Sequence, residues 1–70
     1  MENVKPFAAV ALLEDKPERG LRRGQVGTVV ESLAPGVFEV EFCDNEGRTY
    51  ATLALCSDQL VALHHDLVVE

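Results

Sequence analysis

Residues 37–55 decide the fold, and they read Val-Phe-Glu-Val-Glu-Phe-Cys-Asp-Asn-Glu-Gly-Arg-Thr-Tyr-Ala-Thr-Leu-Ala-Leu. The first six residues alternate in polarity, so one face of an extended strand takes Phe38, Val40 and Phe42. Asp44–Gly47 begins with Asp-Asn and ends with glycine, which suits a tight hairpin loop. Residues 48–55 then supply the partner strand. The stretch therefore predicts an antiparallel hairpin with one buried face.

Two further strands precede this hairpin. Residues 25–33 are rich in β-branched side chains and predict the second strand. Gly24 and Gly27 lie near its start, where a glycine in a strand indicates a bend or a close backbone approach. Residues 6–13 form a compact apolar run that predicts the first strand. In the polar connection between the two, Pro17–Gly20 suits one tight turn.

The segment after the hairpin predicts a last, short strand. Residues 57–60 suit a single helical turn, which Ser57 or Asp58 would cap with its side chain. Residues 61–63 would follow as the closing strand.

This order of elements predicts an all-β fold, a small five-stranded SH3-like barrel with one 3₁₀ turn before the last strand. The barrel would span about residues 6–63 of a single domain, with residues 64–70 as a C-terminal tail. An open sheet of three to five strands that dimerises is the main alternative.

Four segments together resemble a bacterial family known as domain of unknown function 4926. These segments are Val10–Asp15, Gly20–Glu31, Val37–Phe42 and Asp44–Leu55. Gly24–Val30 is also similar to the glycine-containing strand of KOW-type modules. The family resemblance implies a small cytoplasmic protein with an SH3-like fold and an antitoxin-like or immunity-like partner role. It carries over no catalytic or ligand residues, and residues 64–70 lie outside it.

The charge of the chain is uneven. The net charge is −6, whereas general nucleic-acid binding depends on an excess of Lys and Arg. One stretch, residues 16–23, is nevertheless positive, and we call it the basic loop. Its basic residues are Lys16, Arg19, Arg22 and Arg23. Either it is a solvated loop, or it is a patch that faces an anion or a partner.

Neither the start of the chain nor its cysteines point to export. No basic, apolar and small-residue leader opens the sequence, and no apolar run is long enough to span a membrane. We therefore expect a cytoplasmic protein. Cys43 and Cys56 do not have the close spacing of zinc ligands, so we expect that the chain binds no metal. We also expect no other cofactor. The two thiols should be free and buried or half-buried. No catalytic motif is present, and we expect no enzyme.

Three hypotheses for function remain open. In the first, the chain is a protein-interaction module, and its partner-binding residues are Lys16, Arg19, Arg22, Arg23, Glu39, Glu41, Tyr50, Leu67, Val68 and Val69. In the second, the basic loop binds nucleic acid together with Arg48, while Tyr50 stacks on a base. In the third, the chain is a homo-oligomer, a dimer or tetramer, whose apolar tail completes a neighbouring subunit.

Overall fold

The computed structural model describes residues 7–63, which form one antiparallel sheet of five strands. The strands are β1 (Ala9–Leu12), β2 (Val26–Ala34), β3 (Val37–Cys43), β4 (Thr49–Cys56) and β5 (Leu60–Ala62). Their order across the sheet is β4-β3-β2-β1-β5. One 3₁₀ turn, Ser57–Gln59, precedes the last strand, and another, Pro17–Arg19, lies between β1 and β2. The all-β prediction with five strands and a turn before β5 is confirmed.

The core lies on one face of this sheet because alternate residues of every strand point to it. Phe38, Val40 and Phe42 of β3 are all buried, as their alternation predicts. The other strands complete the cluster with Val10, Leu12, Val29, Ala51, Leu55 and Leu60. Leu21, from the connection between β1 and β2, joins them.

Strands β4 and β5 lie at the two ends of the strand order, and no ladder joins them within residues 7–63. Closure of the sheet into a barrel therefore stays a prediction. No helix in this part of the chain is long and apolar enough to cross a membrane.

The hairpin between β3 and β4 is fixed by Asp44. Its carboxylate oxygen Oδ1 accepts hydrogen bonds from the backbone N–H groups of Glu46 (2.8 Å) and Arg48 (3.0 Å). Gly47 has a φ of 82°, a left-handed conformation that glycine adopts without a steric penalty. The predicted turn chemistry is therefore confirmed. A bulge between Phe42 and Cys43 adjusts the register at this end.

Gly27 marks a close approach inside the sheet. A Cβ atom at this position would lie 2.7 Å from Cγ1 of Val40 and 2.8 Å from Cε1 of Phe42. Strand β2 reaches this close to the core side chains of β3 only because residue 27 has no side chain. The predicted role of a glycine near the start of β2 is confirmed here.

Two details differ from the expectation. The first strand begins at Ala9 rather than near residue 6, because Phe7 has a φ of 67°, which an extended strand does not allow. The turn before β5 is not capped by Ser57 or Asp58. Instead, the side-chain carbonyl Oε1 of Gln59 accepts a hydrogen bond from the backbone N–H of Cys56 at 2.8 Å.

Candidate partner-binding surface

The basic loop is a folded element, because its two ends are hydrogen-bonded to each other through their backbone groups. Lys16 and Leu21 form an isolated antiparallel bridge, with N–H to carbonyl distances of 2.9 and 3.0 Å. Between them, the 3₁₀ turn Pro17–Arg19 ends at Gly20, which has a φ of 70°. Leu21 is only 1% exposed, so its side chain anchors the loop in the core.

Side chains and backbone groups next to the basic loop hold its second half. The backbone N–H of Arg23 donates to Oδ1 of Asp15 at 2.8 Å, and that of Arg22 donates to Oε1 of Gln25 at 2.7 Å. The N–H of Gly24 donates to the carbonyl of Leu12 at 2.7 Å. These bonds order the backbone in advance, so a partner would not have to order it on binding.

The loop also contacts the edge strand β4. The guanidinium Nη2 of Arg19 donates to the backbone carbonyl of Thr52 at 3.1 Å. Just after the loop, the amide nitrogen of Gln25 contacts the hydroxyl of Tyr50. The structure therefore brings Arg19 and Tyr50, two of the predicted binding residues, to one side of the molecule. Neither Gln25 nor Thr52 carries a local sequence signal for these contacts.

The basic side chains of the described residues differ in whether they have a partner. Lys16 forms a salt bridge with Glu14 at 3.1 Å. Hydrogen bonds from Lys16 and then from Gln59 hold the pKa of the Glu14 carboxyl below its usual range. Arg48 pairs with Asp44 and Glu46 in the hairpin.

Arg22 and Arg23 form the exposed cationic part of the loop. Within residues 7–63, no side-chain hydrogen bond or salt bridge engages either guanidinium group, and both residues are exposed. Beside Arg22 lies an open depression of about 590 Å³, lined by Asp15, Pro17, Gly20, Leu21 and Arg22. The arrangement presents exposed positive charge, carried on an ordered backbone, next to a shallow recess.

The predicted acidic residues Glu39 and Glu41 lie on the face of β3 opposite the core, and both are half-buried. In the register, Glu39 faces Glu31 of β2, and Glu41 faces Thr28. Sequence reasoning missed Glu31 because an irregularity between Val29 and Glu31 shifts the alternation of β2. A bulge has no reliable local signal. This face of the sheet is thus more acidic than predicted.

The cysteines are free, as predicted, but both are exposed rather than buried. Cys43 lies opposite Thr49 and Cys56 opposite Val37, at the two ends of the β3–β4 ladder. At about 3.4 Å per residue along a strand, these ends are about 20 Å apart, too far for a disulfide. The prediction of buried thiols is wrong, because the alternation that buries Phe42 turns its neighbour Cys43 to the other face.

The remaining predicted site residues, Leu67, Val68 and Val69, lie outside the described residues. Within residues 7–63, no three His, Cys, Asp or Glu side chains come together as a group of metal ligands. The expectation that the chain binds no metal and no other cofactor stays a prediction.

The fold and this surface define a small all-β domain, one antiparallel sheet with an ordered basic loop packed against its edge strand. The family model described as Domain of unknown function (DUF4926) matches residues 7–62. The chain belongs to this family, as the resemblance of its segments predicted. No curated protein and no solved structure matches the chain.

Proposed function

We propose that the chain is a non-catalytic protein-interaction domain that binds an acidic segment of another protein through the basic loop. The observation that carries this proposal is the pair of exposed guanidinium groups, Arg22 and Arg23, on a loop that is already ordered. Arginine binds carboxylates with two parallel hydrogen bonds, which gives both affinity and orientation.

The ordering of the loop favours binding energetically. The loop is anchored in the core by Leu21 and tied to β4 by Arg19. Immobilising a long side chain on association costs about 0.5–1.5 kcal/mol, and loop ordering adds to that cost. Here the backbone bonds of the free protein already supply the loop order. The recess beside Arg22 leaves room for a side chain of the partner.

The ionisable groups support a binding role rather than catalysis. The described residues include no buried polar or charged side chain. The two carboxyl groups with a shifted pKa, Glu14 and Asp44, are exposed, and both shifts are downward. A general acid or base usually needs a desolvated carboxyl with a raised pKa.

Nucleic-acid binding is the less favoured alternative. Of the cations in that hypothesis, Lys16 and Arg48 have carboxylate partners, and Arg19 is bonded to the sheet. The two exposed arginines, Arg22 and Arg23, would neutralise about two phosphates. The logarithm of the binding constant would then fall with the logarithm of the salt concentration at a slope of only about −2. An antitoxin-like or immunity-like role in the cytoplasm remains one form of the protein-binding proposal.

The experiment is affinity capture with the full chain, followed by titration of the purified partner. Replacing both Arg22 and Arg23 by alanine removes the guanidinium groups and leaves their backbone hydrogen bonds in place. We expect affinity to fall at least about tenfold, since charged hydrogen bonds contribute about 1.5–3 kcal/mol each.

Arg48→Ala is the matched control, because Arg48 is an exposed arginine outside the basic loop that pairs with Asp44 and Glu46, and it should change affinity by less than about threefold. Recovery of no protein partner, or equal losses for the double variant and the control, would refute the proposal. Steep, salt-sensitive binding to RNA or DNA would favour the alternative instead.

A further inference from the structure

Strand β4 has one side that no other strand covers within residues 7–63, since it pairs with β3 alone. The carbonyl of Thr52 points to this free side, because it accepts the hydrogen bond from Arg19 at 3.1 Å. In an antiparallel strand, the N–H and the carbonyl of one residue point the same way, and every second residue repeats the pattern. The N–H of Thr52 and both backbone groups of Ala54 therefore also face the free side.

These backbone groups form a short open edge that a further strand can pair with. Thr52 and Ala54 are both exposed, and among the described residues only the Arg19 guanidinium bonds to them on the free side. The N–H of Cys56, two positions further on, already donates to Oε1 of Gln59 at 2.8 Å. The open edge therefore ends at that point.

The guanidinium of Arg19 decides which kind of strand gains by pairing at this edge. A neutral strand would have to take the Thr52 carbonyl from Arg19 and would return the exposed guanidinium to water. A strand that carries a carboxylate offers Arg19 a stronger acceptor in exchange, because both groups are charged and two parallel hydrogen bonds can form.

We infer that the acidic segment of the partner binds as an added β-strand along residues 52–54, with one of its carboxylates on Arg19. In this mode of recognition, main-chain hydrogen bonds give affinity and side-chain contacts give specificity. The inference rests on the proposed function and extends it, because the segment that binds Arg22 and Arg23 would continue from the basic loop onto the sheet.

A second copy of the chain does not fit this edge. The two strands at the ends of the described sheet, β4 and β5, contain no Asp or Glu, so neither can supply a carboxylate to Arg19. Pairing of β4 with its own counterpart would also bring two Arg19 side chains to one edge, and like charges there oppose association. The charge at the edge therefore favours a different, acidic protein.

The test is an amide NMR titration of the full chain with two capped hexapeptides at low ionic strength and millimolar concentration. One peptide is Thr-Val-Glu-Val-Thr-Val, and the other has Gln in place of Glu. We expect the Glu peptide to shift the amide signals of Thr52 and Ala54. We expect it to bind about two- to fivefold more tightly than the Gln peptide, as an exposed ion pair allows.

Arg19→Ala tests the role of the guanidinium separately from that of the edge. In this variant, the preference for the Glu peptide should disappear. The Gln peptide should bind at least as tightly as it binds the unsubstituted protein, because the Thr52 carbonyl no longer has a competing donor. Arg48→Ala is the control, since Arg48 is exposed but bonded to Asp44 and Glu46, and it should keep the preference.

The outcomes separate this inference from the proposed function. Shifts at Thr52 and Ala54, with a preference that Arg19→Ala abolishes, would support the inference. No shift at these amides with either peptide, or an equal preference in Arg19→Ala, would overturn it. Partner capture that depends on Arg22 and Arg23 would still support the proposed function in that case, and failure of that capture would refute the function whatever the peptides do.

Discussion

Replacing Gly27 by alanine tests whether the close approach between β2 and β3 holds the core together. The added Cβ would lie 2.7 Å from Cγ1 of Val40 and 2.8 and 2.9 Å from Cε1 and Cδ1 of Phe42. Val40 and Phe42 are both fully buried, so neither side chain can rotate into solvent to relieve the contact. Either the strands separate or these side chains leave their preferred rotamers.

The expected cost follows from these distances. Overpacking a tight core by one methyl group typically costs about 1–3 kcal/mol. A core of this size contributes roughly 3–5 kcal/mol of net stability, so the loss is a large fraction of the total. At about 4–8 °C per kcal/mol for a domain of this length, the melting temperature should fall by about 4–24 °C.

The assay is urea and thermal unfolding followed by circular dichroism, with the m-value checked for constancy. The sign of the change is decisive. Where a Gly→Ala change meets no steric conflict, the reduced entropy of the unfolded chain stabilises the fold by about 0.4–1 kcal/mol. A Gly27→Ala variant as stable as the unsubstituted protein, or more stable, would refute the packing argument.

Three other variants or measurements test separate parts of the fold. Asp44→Asn should destabilise the hairpin at neutral pH, and its difference in stability from the unsubstituted protein should shrink in acid. The lowered pKa of Asp44 gives stability that is present above about pH 3.9 and is lost as the pH falls through the folded-state pKa. Parallel pH–stability curves for the two proteins would contradict this role of Asp44. Leu21→Val, a smaller truncation that this marginally stable domain can tolerate, should speed hydrogen exchange in the basic loop more than in the hairpin. Equal acceleration in both, with the variant still folded by circular dichroism, would show that Leu21 does not anchor the loop. A thiol reagent should react with both Cys43 and Cys56 in the folded protein without denaturant; protection of either one would contradict its exposure.

The predictable parts of the fold are those with local causes. The hairpin is one, because the alternation of residues 37–42 and the chemistry of Asp44 and Gly47 act within a few residues of each other. The role of Gly27 was predictable in kind, since a strand glycine indicates close approach. Which side chains approach it was not, because Val40 and Phe42 come from another strand.

The parts that sequence reasoning missed depend on register and on distant contacts. The irregularity after Val29 puts Glu31 opposite Glu39, and no propensity marks it. Arg19 reaches Thr52 across 33 positions of sequence. The exposure of Cys43 is different in kind, because the alternation of β3 already implies it.

The contact between Arg19 and Thr52 has a consequence for solubility. Strand β4 is an edge strand, and its free backbone groups can template the addition of a strand from another molecule, which is a common start of aggregation. The Arg19 guanidinium occupies one of those carbonyl acceptors and places a positive charge in the path of an incoming strand. An incoming strand would therefore have to displace this contact of the basic loop before it could pair with β4 at the Thr52 carbonyl.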